Sequence, residues 1–180
     1  MRTITITALL LLLLSGVNLT AQQATNSEKY GNTLNLGLGI GGYSGYYGYV
    51  ERSVPVFHIN YEFDVANNFT LAPFATFFTY HHDKYYYKET VIPIGVKGTY
   101  YFDQILNASS AWDFYLAGSL GFALVSTSWD SDYDGDRNRY HNASNLFLDV
   151  HIGAEYHINR KLGIFLDISS GVSTIGLAIH

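Results

Sequence analysis

The chain has 180 residues and a net charge of −5, which argues against a nucleic-acid partner because such a partner requires a basic patch. Charged residues make up only 14% of the chain, against roughly 25% in typical globular proteins, so little charge is left to coat a soluble surface. Cysteine is absent, which excludes disulfides, thiol chemistry and a lipid-anchoring cysteine.

The N-terminal segment predicts export. Met1 and Arg2 give a short cationic start, an apolar run over Ile4–Leu14 follows, and the small residue Ala21 closes the segment. This order is typical of a secretory signal peptide cleaved near Ala21. Neither this run nor any later one reaches the roughly 20 apolar residues of a transmembrane helix. We therefore expect a signal peptide over 1–21, a polar, flexible leader over 22–31 and one domain over 32–180.

Alternation of apolar and polar residues with period two predicts the strands of this domain. The first four predicted strands lie over Leu34–Gly42, Ser53–Phe63, Phe69–His81 and Thr90–Phe102. A Gly- and Tyr-rich loop over 43–52 follows the first strand, and a turn over 64–68 follows the second. Pro73 and Pro93 fall inside predicted strands, where proline removes a ladder donor, so each predicts a bulge or a shifted boundary.

Four further strands complete the pattern. They run from Trp112 through Leu124, over Leu146–Ile158, over Leu162–Ser169, and after Gly171-Val172 through Ile175 to His180. Polar connections over 103–111 and 127–143 and a turn at Asn159-Arg160 join them. The total is about eight, an even number, so both termini are expected on the same side.

The two faces of these strands differ in an unusual way. One face is continuously apolar, whereas the other carries ionisable residues at mid-strand together with glycine and alanine. A soluble barrel fills its inside with bulky aliphatic residues, so this pattern predicts apolar side chains outside and charge inside. The fold class expected is all-β, a closed antiparallel up-and-down transmembrane β-barrel. Outward aromatic residues at one end of the strands predict a periplasmic aromatic girdle: Tyr61, Phe63, Tyr100, Phe102, Trp112, Phe114 and Tyr156.

With its signal peptide, eight alternating strands, short turns on one side and the segments Leu162–Gly171 and Thr174–His180, the chain resembles the small outer-membrane β-barrel proteins of Gram-negative bacteria, of the OmpA and OmpX type. The resemblance implies a place in the bacterial outer membrane, contact with lipid and lipopolysaccharide, and insertion by the barrel assembly machinery. Such proteins commonly end in an aromatic residue that this machinery recognises. Here His180 stands in that place.

The interior of an eight-stranded barrel is just wide enough to be filled by side chains, so we expect a plug rather than a general diffusion pore. The expected polar interior network consists of His58, Glu62, Lys97, Asp149, His151, Glu155, His157 and Asp167. A buried charge costs several kcal/mol unless it is paired or hydrated, which favours a hydrogen-bonded network with trapped water. A narrow cation or proton path is the alternative.

An acidic loop after the fifth strand matches the opening of a calcium-binding loop. Asp130, Asp132, Asp134 and Asp136 follow the D-x-D-x-D-G spacing, although His141 takes the place of the bidentate glutamate. Bound Ca²⁺ would stiffen an outer loop or bridge it to lipopolysaccharide. A solvated acidic loop is the alternative reading.

No other cofactor and no enzymatic activity are predicted. His81-His82-Asp83 has no recognisable nucleophile motif beside it. The tyrosines over 43–49 and 85–87 suit either an interfacial belt or an extracellular adhesion surface. We therefore expect a non-enzymatic outer-membrane protein that acts through its extracellular loops. The alternative is a secreted soluble barrel of lipocalin type, which would place the apolar faces inside around a small ligand.

Overall fold

The computed structural model describes residues 29–41, 53–82, 87–129 and 146–180. Within these ranges the chain forms eight strands and one short helix. In chain order they are β1 (Thr33–Gly41), β2 (Ser53–Ala66), β3 (Phe69–His82), β4 (Tyr87–Tyr101), α1 (Asp103–Leu106), β5 (Trp112–Trp129), β6 (Leu146–Asn159), β7 (Leu162–Ser169) and β8 (Val172–Ile179).

Several predicted features lie outside the described residues. They are the signal peptide over 1–21, the first part of the leader, the tyrosines over 43–49 and the acidic loop with Asp130, Asp132, Asp134 and Asp136. Among the described helices, none has the length and apolar character needed to cross a membrane.

Each strand pairs in antiparallel fashion with the next one along the chain, and β8 returns to pair with β1. The closing pair runs from Leu34 beside Ile179 to Gly41 beside Val172. The predicted closed, antiparallel, up-and-down barrel of eight strands is therefore confirmed. Closure satisfies the backbone groups that an edge strand would leave unpaired.

The barrel has two different ends, which we name by their connections. The turn end carries residues 29–32, His180 and the connections β2–β3, β4–β5 and β6–β7, all of which lie within the described ranges. The loop end carries the longer connections over 42–52 and 130–145, together with β3–β4 and β7–β8.

The β2–β3 turn is tighter than the sequence predicts. Strand β2 continues to Ala66, and only Asn67 and Asn68 make the turn, with Asn68 in the left-handed conformation at φ 56°. Asparagine tolerates this conformation better than most residues, which permits so short a connection. Asp64 therefore lies in the strand, beside a register shift, rather than in the turn.

The bulges expected at the two prolines are not present. Pro73 pairs with Val96 and Pro93 pairs with Ala123, and the register on both sides of each residue stays the same. The register shifts in the described ladder lie elsewhere, at Gly39/Gly41, Asp64/Ala66 and His157/Asn159. On its other side each proline interrupts the ladder: the pairs between β2 and β3 stop beside Pro73, those between β3 and β4 stop beside Pro93, and both resume in the same register.

Alternate residues of the strands point outward and inward as the sequence predicts. Leu120 on β5 is 57% exposed, whereas Asp149 on the adjacent strand β6 is only 3% exposed. The aromatic residues expected at one surface lie together at the turn end. There Trp112 stacks on Phe114, and its ring centroid is 4.9 Å from that of Tyr156.

The interior also contains an apolar cluster that the sequence interpretation assigned to no site. It lies toward the loop end and consists of Val56, Phe78, Val91, Ala123 and Val172, with Val125 packed against it. Most of the hydrogen-bonded polar side chains occupy the centre and the turn end of the barrel. Beyond them, apolar side chains fill the volume, since a void would forfeit packing contacts.

Two inward glycines bring strands β4 and β5 unusually close. Gly95 and Gly121 are paired directly, and a Cβ atom added to either would overlap the backbone of the other strand. Gly118 lies on the same strand as Gly121 but points outward, and a Cβ atom there would meet nothing within 4 Å. The two positions therefore share a strand and a residue type but differ in the face of the wall and in the space for a side chain.

We predict that Gly121→Ala destabilises the folded barrel by about 1–3 kcal/mol, because the methyl group forces the two strands apart. Gly118→Ala is the matched control and should be neutral or stabilising by about 0.5 kcal/mol, since alanine has less backbone entropy to lose. Urea unfolding in lipid vesicles, followed by tryptophan fluorescence, measures both. Equal effects of the two substitutions would contradict the close approach of β4 and β5.

Candidate functional site

The polar interior is the candidate site, and the structure places all eight residues of the expected network on the inward face. Six are buried and two, His58 and His157, are half-buried. They do not form one continuous hydrogen-bonded set but separate into a central cluster, a cap at the loop end, a chain across β1, β2 and β3, and a cluster at the turn end. Each group makes different hydrogen bonds and ion pairs, and these decide what each can do chemically.

The central cluster is built around Asp167 on β7. Its Oδ2 atom lies 2.5 Å from Lys97 Nζ and accepts a hydrogen bond from the Tyr115 hydroxyl at 3.1 Å. Its Oδ1 atom lies 2.7 Å from Nδ1 of His151. All four side chains are buried. The carboxylate is thus satisfied on both oxygens, which is what allows a charge to remain inside the barrel.

Ser119, His151 and Asp167 have the connectivity of a Ser-His-Asp catalytic triad. Ser119 Oγ lies 2.9 Å from His151 Nε2, and the other ring nitrogen faces Asp167. The cavity beside these residues has a volume of only about 10 Å³, which is room for about one water molecule. Ser119 also lies within the ladders to both neighbouring strands. The backbone N–H groups beside it are therefore used in strand pairing and are not available to form an oxyanion hole. The arrangement can fix side chains but cannot admit a substrate.

Asp149 caps the β7–β8 connection at the loop end. Its carboxylate accepts hydrogen bonds from the hydroxyls of Ser169 at 2.8 Å and Ser170 at 2.7 Å, and from the backbone N–H of Gly171 at 3.0 Å. His151 Nε2 is farther away, at 3.7 Å. The role of Asp149 in this structure is to hold a tight turn, and it lines no open path.

His58 and Glu62 belong to a hydrogen-bonded chain that crosses β1, β2 and β3. His58 Nδ1 lies 2.7 Å from Thr76 Oγ1, and its Nε2 lies 3.0 Å from the amide nitrogen of Asn60. Since that amide nitrogen can only donate, Nε2 accepts and Nδ1 carries the proton. Asn35 then donates to both Asn60 and Glu62, which continues the chain toward the turn end.

Tyrosines close the turn end. Tyr30 stacks on Tyr101 with a centroid separation of 3.9 Å and donates its hydroxyl to Asp103, while Tyr101 donates to Glu62 at 2.8 Å. The expectation of a flexible leader over 22–31 is therefore wrong at its described end. Tyr30 is 3% exposed, and its backbone N–H is held by Asp64. The ring of Tyr30 fills the barrel mouth and is removed from water. The free energy gained by this burial offsets the conformational entropy lost when the backbone at Tyr30 is ordered.

The remaining predicted residues, Glu155 and His157, meet Asp113 and His180 at the same end. His157 Nε2 lies 2.8 Å from Asp113 Oδ2, and His180 Nε2 lies 2.7 Å from Glu155 Oε1. The hydrogen bond to Glu155 raises the pKa of His180 above its usual value. Among the described residues, Glu155, His157 and His180 are a group whose ligand atoms converge closely enough for one metal ion.

Sequence reasoning missed several members of the interior. Asp113 and Ser119 lie on the polar face of β5 and share the register of the residues that were chosen, so the alternation could have found them. His180 follows the outward Ile175, Leu177 and Ile179, so the same alternation could have placed it inward. Nothing in the pattern marks Tyr30, because it precedes the first alternating segment.

Comparisons with known proteins support the fold. No protein-family model matches the chain, and no curated protein sequence matches it significantly. Among solved structures, the chain is similar to Neisserial surface protein A, with 14% identity, a TM-score of 0.56 and coverage of 82% of this chain and 94% of that one. Ail of Yersinia pestis matches with 10% identity, a TM-score of 0.46 and coverage of 83% and 98%. A de novo designed transmembrane β-barrel has 11% identity, a TM-score of 0.46 and coverage of 84% and 98%.

We predict that Lys97→Met destabilises the barrel by about 3–5 kcal/mol, because it leaves the buried Asp167 carboxylate without its cation. The double variant Lys97→Met/Asp167→Asn should recover a large part of this loss, since no bare charge remains. Urea unfolding of Lys97→Met, Asp167→Asn and the double variant in lipid vesicles measures the difference. A double variant that is as unstable as the sum of the two single substitutions would show that the ion pair has no such role.

Proposed function

We propose that the protein is a non-enzymatic integral protein of the bacterial outer membrane, whose sealed barrel is a scaffold for the connections at its loop end. The observation that carries this proposal is the polarity of the wall. Outward aliphatic side chains such as Leu120 and Val150 are 57% and 69% exposed, whereas the charged groups are enclosed. An apolar surface that surrounds a closed barrel requires hydrocarbon as its solvent.

The interior supports a scaffold rather than a pore. The apolar cluster around Val56 and Phe78 fills it toward the loop end, and the stack of Tyr30 on Tyr101 fills it at the turn end. The polar cavity between them, lined by Asn35, Lys97 and Thr99 among others, has a volume of about 10 Å³. That volume holds about one water molecule, so it suits a hydrated plug. No specific observation favours the narrow cation or proton path.

The soluble carrier alternative finds no support in the described residues. A lipocalin-type protein needs an apolar cavity inside the barrel. The larger apolar space of this structure, about 520 Å³, is a groove on the outer wall between side chains such as Leu38, Phe57 and Phe77. Its position suits contact with lipid acyl chains.

The apolar outer face of the wall is also the basis for the proposed partners. Outer-membrane lipid and lipopolysaccharide would contact the wall, and the barrel assembly machinery would insert it. The loop-end connections over 42–52 and 130–145 would face the extracellular side, where their tyrosines and acidic residues suit an adhesion partner. Ca²⁺ at Asp130, Asp132, Asp134 and Asp136 would strengthen contact with anionic lipopolysaccharide.

The absence of enzymatic activity is part of this proposal. It rests on the enclosed position of Ser119 and His151, beside which a substrate has no room. An exposed nucleophile at the barrel rim would be required for a lipid hydrolase.

Cellular fractionation tests the location. We expect the protein in the outer-membrane fraction, resistant to carbonate, soluble only in detergent, and with heat-modifiable migration in gels. A carbonate-soluble periplasmic protein would overturn the proposal.

Arginine substitutions test which surface contacts lipid. Leu120→Arg lies on the apolar wall of β5 and should destabilise the barrel in lipid vesicles by about 2–4 kcal/mol. Ile105→Arg is the control, because Ile105 is at least as exposed as Leu120, at 68% against 57%, but belongs to helix α1 outside the wall. It should change the unfolding free energy by about 1 kcal/mol or less. If both cost the same small amount, the wall does not face lipid.

Planar-bilayer recordings test the sealed interior. We expect no stepwise conductance from the purified protein, with or without Ca²⁺, because both ends of the barrel are filled. Reproducible channel openings that respond to substitutions of inward residues such as Lys97 would establish a conducting path instead.

A further inference from the structure

A compact group of metal-ligating side chains lies at the turn end. Glu155 and His157 are alternate residues of β6 and both point inward, and His180 follows directly after β8. Glu155 Oε1 lies 2.7 Å from His180 Nε2 and 3.8 Å from His157 Nδ1. The ligand atoms of all three residues lie within 4.8 Å of one another. Two imidazole nitrogens and one carboxylate oxygen are thus close enough to one another to hold a single metal ion.

The strand between these residues leaves room for them to meet. Gly163 on β7 is paired with His157 on one side and with Ala178 on the other. A Cβ atom at position 163 would overlap the Glu155 carboxylate. Glycine therefore opens the passage through which Glu155 reaches from β6 toward the end of β8.

The outer nitrogen of each imidazole is held by a second group. His157 Nε2 lies 2.8 Å from the Asp113 carboxylate, and His180 Nδ1 lies 2.9 Å from Thr33 Oγ1. Since Thr33 donates its hydroxyl proton to the carbonyl of Tyr30, it accepts from His180. Metal-binding histidines typically donate their other ring N–H to a carboxylate or a similar acceptor, which fixes the ring. Both rings already have this arrangement.

The local charge also favours a cation. Asp113 and Glu155 are buried, and in the described part of the chain their ion pairs are with His157 and His180. A histidine balances a carboxylate only while it is protonated. A divalent ion would balance both acids while it uses the neutral form of each ring.

We propose that Glu155, His157 and His180 bind a divalent transition-metal ion, with Asp113 and Thr33 as positioning residues. Zn²⁺ suits a donor set of two nitrogens and one oxygen, with water from the barrel mouth as a fourth ligand, whereas Ca²⁺ and Mg²⁺ require oxygen ligands. Bond lengths of about 2.0–2.1 Å place tetrahedral ligands roughly 3.3 Å apart. The present separations of 2.7 and 3.8 Å lie on either side of that value. Small side-chain rotations would bring both separations to that value.

The bound ion would join parts of the barrel that are distant along the chain. It would connect β6 to the end of β8 across β7, and through Thr33 it would fix the β1–β8 seam. We therefore expect Zn²⁺ to slow thermal unfolding as well as to bind.

Zinc titration of the folded full chain in detergent micelles, against a chromophoric chelator, tests the site. We expect one Zn²⁺ per chain, with Ca²⁺ and Mg²⁺ unable to compete. His157→Gln and His180→Gln should each weaken binding more than 10-fold, and Asp113→Asn by about 10-fold. His58→Gln is the matched control, since it removes an inward histidine outside the cluster and should leave the affinity unchanged. Heat-modifiable migration verifies that each variant is folded.

X-ray absorption at the zinc edge of the wild-type protein provides a measurement that needs no variant. We expect nitrogen and oxygen ligands at about 2.0–2.1 Å with scattering from two imidazoles. A wild-type protein that binds no Zn²⁺, a spectrum without imidazole, or full affinity in His157→Gln/His180→Gln would overturn the proposal. Because the titration is done in detergent, its result is independent of the membrane location tested by fractionation.

Discussion

The pairing of β8 with β1 is the interaction on which the rest of this structure depends. A strand in hydrocarbon has no water to satisfy its N–H and C=O groups, so the sheet has to close on itself. Eight strands close only around a narrow lumen, which every second side chain must enter. The enclosed charges, the directly paired glycines and the filled ends all follow from this confinement.

Confinement decides what the interior chemistry can be. Lys97, Asp167 and His151 are close together because a charge held away from both water and lipid needs a partner. The resulting geometry reproduces the connectivity of a catalytic triad through Ser119, yet the same packing that creates it removes the space for a substrate. In this barrel Ser119, His151 and Asp167 satisfy one another's hydrogen-bonding groups inside the wall.

The turn end differs from the centre because it is partly open to water. There the residues just outside the strands take part in the interior: Tyr30 fills the mouth, and His180 reaches across to Glu155 on β6. The contact between His180 and Glu155 connects β6 with the residue that follows β8, and the ladder joins these two strands through β7. His180 also contacts Thr33 and thus reinforces the seam between β8 and β1, and it is one of the three ligands of the proposed metal site.

The sequence by itself determined the strands, their inward and outward faces and the polarity of the wall, because a period of two is a local property that each strand carries. Leu148 and Asp149 could be assigned to opposite sides without any knowledge of neighbours. The partners could not be assigned in this way. The meeting of Ser119 with His151 and of Glu155 with His180 depends on register and closure, and the unchanged register past Pro73 and Pro93 depends on the strands beside them. Tyr30 belongs to no alternating segment, so its burial could not be predicted from the sequence. The barrel mouth that it fills exists only once the wall has closed.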